Sequence, residues 1–180
     1  MIFEKSTIVT AWLGSGVLAS VRLFFILLGL SLAVSAIADG PTVPGSRAVL
    51  KNGIAYAPSN APENVKRAIW AANALRKMPY RFGGGHGSFN DCGYDCSGTV
   101  SFALHYAGVL ASPTDSRSLM SFGESGCGRW ITVYTRNGHA FAVIAGLRLD
   151  TTGAHGTEGP RWHADGRIPW GFAARHPAGL

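Results

Sequence analysis

Charge is scarce in this chain. Asp, Glu, Lys and Arg make up 14% of the residues, against a usual share of about 25%. The acidic side is the poorer, with 10 Asp and Glu to 16 Lys and Arg, while 47% of residues are hydrophobic. That balance excludes a chain that is disordered throughout, because such chains are polar and highly charged. No block of basic residues is present either. The densest grouping, Arg76-Lys77 near Lys66-Arg67, fits the solvated face of an amphipathic helix. The net charge of +6 therefore gives no sign of nucleic-acid binding beyond a general attraction for anions. Cysteine is rare as well. Three cysteines exclude a disulfide scaffold and allow one internal bridge with one thiol left over. The Cys-x3-Cys spacing from Cys92 to Cys96 is not that of a common zinc knuckle, and no second knuckle accompanies it. No internal repeat is visible.

Much of the missing charge is missing from one place. Residues 6 to 38 hold a single ionisable side chain, Arg22. Its second half has the parts of an export signal: Arg22, an apolar stretch over residues 23 to 34, and Ala36-Ile37-Ala38 as a small-x-small cleavage site. Residues 1 to 38 are thus expected to be a signal peptide, with an uncleaved anchor as the alternative, since residues 8 to 21 are apolar too. The expected location is outside the cytoplasm, in the periplasm or cell wall. An unpaired thiol in that oxidising setting needs a reason.

Residues 39 to 60 are rich in Pro, Gly and small polar residues and read as a linker or N-terminal arm, so the domain is expected to run from 61 to 180. Val65, Ile69, Ala72 and Leu75 recur at helical spacing, with Lys66, Arg67 and Asn73 off that stripe, predicting a helix over residues 62 to 77. Pro79 ends it and a glycine run, Gly83-Gly84-Gly85, follows. A second helix is expected to start at Cys96 or Ser97, capped by Asp95, with Val100, Ala103, Leu104 and Ala107 as its apolar stripe and Gly108 as its end. Residues 110 to 128 read as a surface connection. Residues 130 to 135 and 139 to 145 flank Asn137-Gly138 and predict a β-hairpin, continued by residues 147 to 150. Residues 153 to 180 read as loops with aromatic anchors. The fold class is α+β: a helix that begins at a cysteine, packed on an antiparallel sheet.

Asp95-Cys96-Ser97-Gly98 puts a thiol on the first turn of a helix, where free backbone NH groups and the helix dipole favour a thiolate and can hold an oxyanion. Cys96 is equally readable as a small buried residue or half of a disulfide. His139 opens an apolar strand directly after a tight turn, as a rigidly supported general base would; a satisfied core histidine has the same surroundings. Asp150, on the next extended segment, is placed to orient that imidazole, although Asp-Thr-Thr-Gly is also a good turn sequence. Parity leaves the choice open, because Gly146 permits a bulge.

Taken in order, Pro79-Tyr80-Arg81-Phe82-Gly83-Gly84, Asp95-Cys96-Ser97-Gly98 and the run from Gly138 to Gly146 resemble the NlpC-type cell-wall cysteine peptidases. The resemblance spans residues 62 to 150. It implies a papain-like α+β fold with Cys96 as nucleophile, His139 as base and Tyr80 as the tyrosine whose hydroxyl helps bind the oxyanion, beside Ser97. The third polar residue of that family is usually His, Asn or Gln; here the match is Asp150, after a shorter intervening segment. The stretch from Gly85 to Asp95 is longer than the family's, and its His86, Asp91, Cys92 and Tyr94 are expected to line the cleft, with His86 touching substrate. The implied activity is hydrolysis of an amide bond in peptidoglycan stem peptides, at D-glutamate followed by a diamino acid. It needs no cofactor and no metal, and the partner is the stem peptide, met by a monomer that touches membrane only through an uncleaved N-terminal segment. Two rivals remain: a secreted metal-binding or redox protein using Cys92, Cys96 and Cys127, and a wall-binding or acyl-transferring relative of the same fold.

Export also predicts the fate of the other thiols. A Cys92 to Cys127 disulfide would leave Cys96 free, and closing a loop of about 35 residues is worth roughly 3 to 4 kcal/mol in the chain-entropy model.

Overall fold

The computed structural model describes residues 39 to 152 and 159 to 180; the expected signal peptide and its cleavage site lie outside the described residues. Among the described residues no helix is long and apolar enough to cross a membrane.

The first helix, α1 (Glu63–Ala74), follows Pro62 and tightens into a 3-10 turn over Leu75–Lys77. Pro79 cannot continue it, as expected. The second, α2 (Cys96–Tyr106), begins at the cysteine. The Asp95 side chain caps it by accepting from Gly98 N, satisfying one of the four free amides of the first turn. Val100, Ala103, Leu104 and Ala107 are buried with Val65 and Ile69 of α1, and Gly108 ends the helix at φ +75°.

Three short strands precede α1, within the residues read as a linker or N-terminal arm. They are β1 (Thr42–Val43), β2 (Val49–Lys51) and β3 (Ile54–Pro58), paired in the order β1-β3-β2. What fastens them is Asn73. Off the apolar stripe of α1 but buried, it accepts from Ala55 N at 2.8 Å and donates to Ala55 O at 2.9 Å, so a mid-helix amide satisfies backbone groups of β3 that the two-residue β1, paired with Ala57 and Pro58, does not reach. Ala55 and Ala57 are fully buried against the helix.

Six more strands form one antiparallel sheet: β4 (Glu124–Ser125), β5 (Ile131–Arg136), β6 (His139–Ile144), β7 (Leu147–Asp150), β8 (Arg161–His163) and β9 (Ala173–His176), in the order β4-β9-β5-β6-β7-β8. The hairpin turns at Asn137-Gly138, with Arg136 opposite His139. The tail read as loops instead supplies β8 beside β7 and β9 beside β5; strands of three and four residues in a Gly- and Pro-rich stretch carry too little alternation to be seen in sequence. Residues 110 to 128 include one 3-10 turn, Ser118–Ser121. The expected α+β arrangement, a helix starting at a cysteine and packed on an antiparallel sheet that carries a histidine, is what the chain adopts.

Alternation on β6 is strict. Ala140, Ala142 and Ile144 join the α2 side of the core, which leaves His139 and Phe141 on the other parity. No bulge interrupts the passage to β7: Ala145 and Gly146 form a two-residue turn at φ 47° and 90°, with Ile144 opposite Leu147 and Val143 opposite Arg148. Arg148 and Asp150 therefore share the face of His139, which resolves the parity left open above.

Candidate active site

The glycines beside Cys96 are there for space. A Cβ on Gly98 would lie 2.1 Å from Gly84 O, and one on Gly84 would lie 2.4 Å from Gly93 O. The glycine-rich loop thus passes directly over the start of α2, and Asp95 N donates to Gly84 O at 3.1 Å. Gly98→Ala is expected to cost about 1 to 3 kcal/mol, in the manner of other overpacked sites. The check is a thermal melt, with a drop of several degrees; an unchanged midpoint would mean that the loop can move aside.

The loop from Gly83 to Asp95 is ordered by its own side chains. Asp91 accepts from Gly85 N at 2.9 Å and Cys92 N at 2.6 Å, and those two amides hold its carboxyl below the usual range. Tyr94 Oη donates to Phe89 O at 2.7 Å, and Phe89 stacks on His105 of α2 at 3.9 Å. Tyr94 also pairs with the segment carrying Tyr80, through Tyr94 N to Pro79 O at 3.1 Å and Arg81 N to Tyr94 O at 3.2 Å. Tyr80 is thereby fixed beside Cys96. Burial, then the charges of Cys96 and Asp95, raise its phenol pKa, so its OH stays a donor across the neutral range.

His139 meets three partners through Nε2: Asp150 Oδ1 at 3.1 Å, Thr152 Oγ1 at 2.9 Å and Arg167 Nη1 at 3.3 Å. Nδ1 takes no part in these three contacts. Burial alone would disfavour the imidazolium, but hydrogen bonding to Asp150 and Cys96, with the charges of both, outweighs it and pushes His139 up to about 9. Asp150 is buried and saturated. It accepts from His139 and Thr152 N (3.0 Å) on Oδ1, and from Arg148 Nη1 (2.7 Å) and Arg167 Nη1 (2.9 Å) on Oδ2. Desolvation would raise its pKa, yet these donors, His139 foremost, hold it far below the usual carboxylate range.

The signs of the two shifts set a pH window for stability. A raised histidine contributes in full below its unfolded value of about 6.5 and loses that contribution as pH rises through about 9. The lowered carboxylate contributes above its unfolded value of about 4 and loses it only in strong acid. The pair is therefore most stabilising between about pH 4 and 6.5, and calorimetric melts should show the midpoint declining from there towards pH 9, more steeply in wild type than in His139→Gln.

A second histidine, His86, lines the cleft beside Cys96. His86 Nε2 lies 3.0 Å from Asp95 Oδ2 and 3.0 Å from Ser97 Oγ. One nitrogen serves both contacts, which leaves the other unused by Asp95 and Ser97. Tyr80, Phe82, His86, Asp95, Cys96, Ser97, Asp115, Arg117 and Asn137 line a cleft of about 370 Å³. Asp115, Ser116 and Arg117 were not singled out in the sequence. Ser116 is tied to the hairpin turn by Gly138 N at 3.2 Å, a contact across 22 residues that no local pattern announces.

The expected Cys92 to Cys127 bridge is absent: all three thiols are free. Each exposed cysteine has its own neighbour, Arg81 Nη1 at 2.7 Å for Cys92 and Tyr134 Oη at 3.5 Å for Cys127. They sit on separate elements, and the long insert is pinned by Asp91, Tyr94 and Asp95 instead. Among the described residues no group of three or more His, Cys, Asp or Glu side chains is placed to hold a metal ion.

No protein family described by sequence matches the chain, and no curated protein is similar to it in sequence. Solved structures do resemble it. The peptidoglycan hydrolase RipB from Mycobacterium tuberculosis is 21% identical, with a TM-score of 0.46 over 89% of this chain and 86% of that one. A mutant of the resuscitation promoting factor interacting protein RipA is 17% identical, with a TM-score of 0.45 over 86% of this chain and 79% of that one.

Proposed function

We propose that this chain is an exported cysteine peptidase that hydrolyses an amide bond in peptidoglycan stem peptides, with Cys96 as nucleophile, His139 as acid and base and Asp150 orienting the imidazole. The observation that carries the chemistry is His139 bonded to Asp150 at 3.1 Å with its pKa raised by Cys96, while Cys96 lines the cleft beside Tyr80. The Cys96 sulfur attacks the carbonyl carbon. The amides of Cys96 and Ser97, which precede the first helical bond from Thr99 N to Asp95 O, and the Tyr80 hydroxyl are the donors for the developing oxyanion. His139 gives its proton to the leaving amine, and water, deprotonated by the same ring, then opens the thioester.

Peptidoglycan as substrate, and the bond between D-glutamate and a diamino acid, are supported by the three ordered motifs around Tyr80, Cys96 and His139. Export is supported by the apolar run ending at Ala38. His86 is proposed to bind a polar group of the substrate through the nitrogen not engaged by Asp95 and Ser97. The deciding experiment is mass spectrometry of fragments released from purified sacculi, with and without an added amine. Release of free stem fragments at the proposed bond supports hydrolysis, while amine-capped fragments would recast the enzyme as an acyl transferase. No fragments from wild type would overturn the substrate.

A further inference from the structure

Two guanidinium groups on one carboxylate oxygen is more than neutralising Asp150 requires. Arg148 is sufficient for that purpose. Its Nη1 is 2.7 Å from Asp150 Oδ2, and its other nitrogen is 3.2 Å from Asp165 Oδ2. Arg167 comes from the loop before β9 and differs in where its charge lies. Nη1 is 2.9 Å from Asp150 Oδ2, 3.0 Å from Thr152 Oγ1 and 3.3 Å from His139 Nε2. The group is also seated over two rings, 5.2 Å from the centroid of Phe141 and 5.4 Å from that of Phe172, and Phe172 meets the His139 ring edge to face at 6.0 Å. A guanidinium has no acceptor. With the Nε2 proton directed at Asp150, its approach to that nitrogen sets one cation against another.

We infer that Arg167 is a positioning residue of the reaction: it clamps Asp150 from the ring side and sets a positive charge beside His139 Nε2, making the imidazolium a readier proton donor to the leaving amine. This rests on the Cys96 and His139 chemistry proposed above. A thiolate and a carboxylate both hold the proton on His139, and an imidazolium held too firmly is a poor general acid near neutral pH. Arg167 opposes that excess. Other charged or titratable groups near the ring are Cys96 on α2, Arg136 opposite it on β5, Arg148 and Asp150 on β7, His163 on β8, and Tyr80 and Asp95 beyond the sulfur. Among the cations of the described residues, Arg167 is the one within hydrogen-bonding distance of Nε2.

The test compares the full chain with Arg167→Gln and Arg167→Lys. Three quantities are read: the His139 imidazole titration by NMR, the pH dependence of Cys96 alkylation by iodoacetamide, and kcat and KM on a stem-peptide substrate. For Arg167→Gln the His139 midpoint is expected to rise by about half to one pH unit, and kcat at neutral pH to fall several-fold with little change in KM. Arg167→Lys should keep the titration near wild type. An unchanged or lowered His139 midpoint in folded Arg167→Gln would overturn the inference, as would a Lys variant that shifts as far as Gln. Should the Gln variant not fold, Arg167→Met keeps the apolar stem on the two rings and carries the same expectation. A wild-type chain whose Cys96 alkylates no faster than Cys92 or Cys127 would sink the nucleophile reading itself, whatever Arg167 does.

Discussion

Replacing Cys96 by alanine is expected to lower the release of stem fragments by about four orders of magnitude or more while leaving the melting temperature within a few degrees of wild type. Loss of a nucleophile removes the covalent route, and what survives is the rate that binding and oxyanion contacts alone can give. The fold should tolerate the change. Cys96 is small and makes no disulfide, and the helix start depends on Asp95 accepting from Gly98 N at 2.8 Å, not on the sulfur. The same variant has a spectroscopic consequence, because the sulfur is one of the two groups that raise His139. The imidazole midpoint should fall in Cys96→Ala. Turnover in the variant equal to wild type would end the proposed mechanism; an unmoved midpoint would separate the two side chains.

The second large effect is expected at Asp150, and it falls on stability as much as on rate. Alanine there leaves Arg148, nearly buried, and Arg167 facing each other without the carboxylate that both bond. Removing one partner of a buried ionic set costs about 3 to 5 kcal/mol, which for a domain of this size is a drop of roughly 10 °C or more. Activity measured below the melt should fall by about two orders of magnitude, since His139 loses the group that fixes its orientation. Asp150→Asn separates the two roles. Its amide oxygen can still accept from the imidazole but carries no charge for the guanidinium groups, so it should melt nearly as early as Asp150→Ala and retain more activity. Melts and initial rates on the two variants decide it. Equal stability of Asp150→Ala and wild type would show that the arginines find other partners.

The parts of this site legible in sequence are those fixed by local rules. A cysteine at a helix start follows from a cap and a stripe, and a histidine opening a strand from a tight turn before an apolar run, whereas Tyr80 was named only through the resemblance of its motif to the NlpC-type peptidases. Asp150 was readable as a candidate, but its face depended on whether Gly146 made a turn or a bulge. The two-residue turn at Ala145-Gly146 supplies that answer, and with it Arg148, two positions away on the same face. Arg167 could not be read. Its contact with His139 spans 28 residues and is made by a loop without periodicity. The strands before α1 were hidden for a different reason. Ala55 and Ala57 carry the buried face of β3, and alanine has weak strand preference; the strand is held by the Asn73 amide, which on a helix reads as a solvated residue. The disulfide expectation failed because it came from the compartment alone, and geometry gave each thiol another neighbour.

The docking of those first strands bears on the order of events in the proposed export. Chain packing starts almost at the expected cleavage site. A Cβ on Gly40 would lie 2.4 Å from Trp70 Cδ1, and Pro41 O accepts from both Trp70 Nε1 at 3.1 Å and Ala57 N at 2.9 Å. If a processing peptidase cuts after Ala38, only Asp39 separates the severed bond from backbone already held by α1. Proteases need an accessible, extended stretch of chain around the bond they cut. Cutting must then come before the arrival of β1 on the helix, or wait for that strand to lift away, so that maturation and the last step of folding compete for the same few residues.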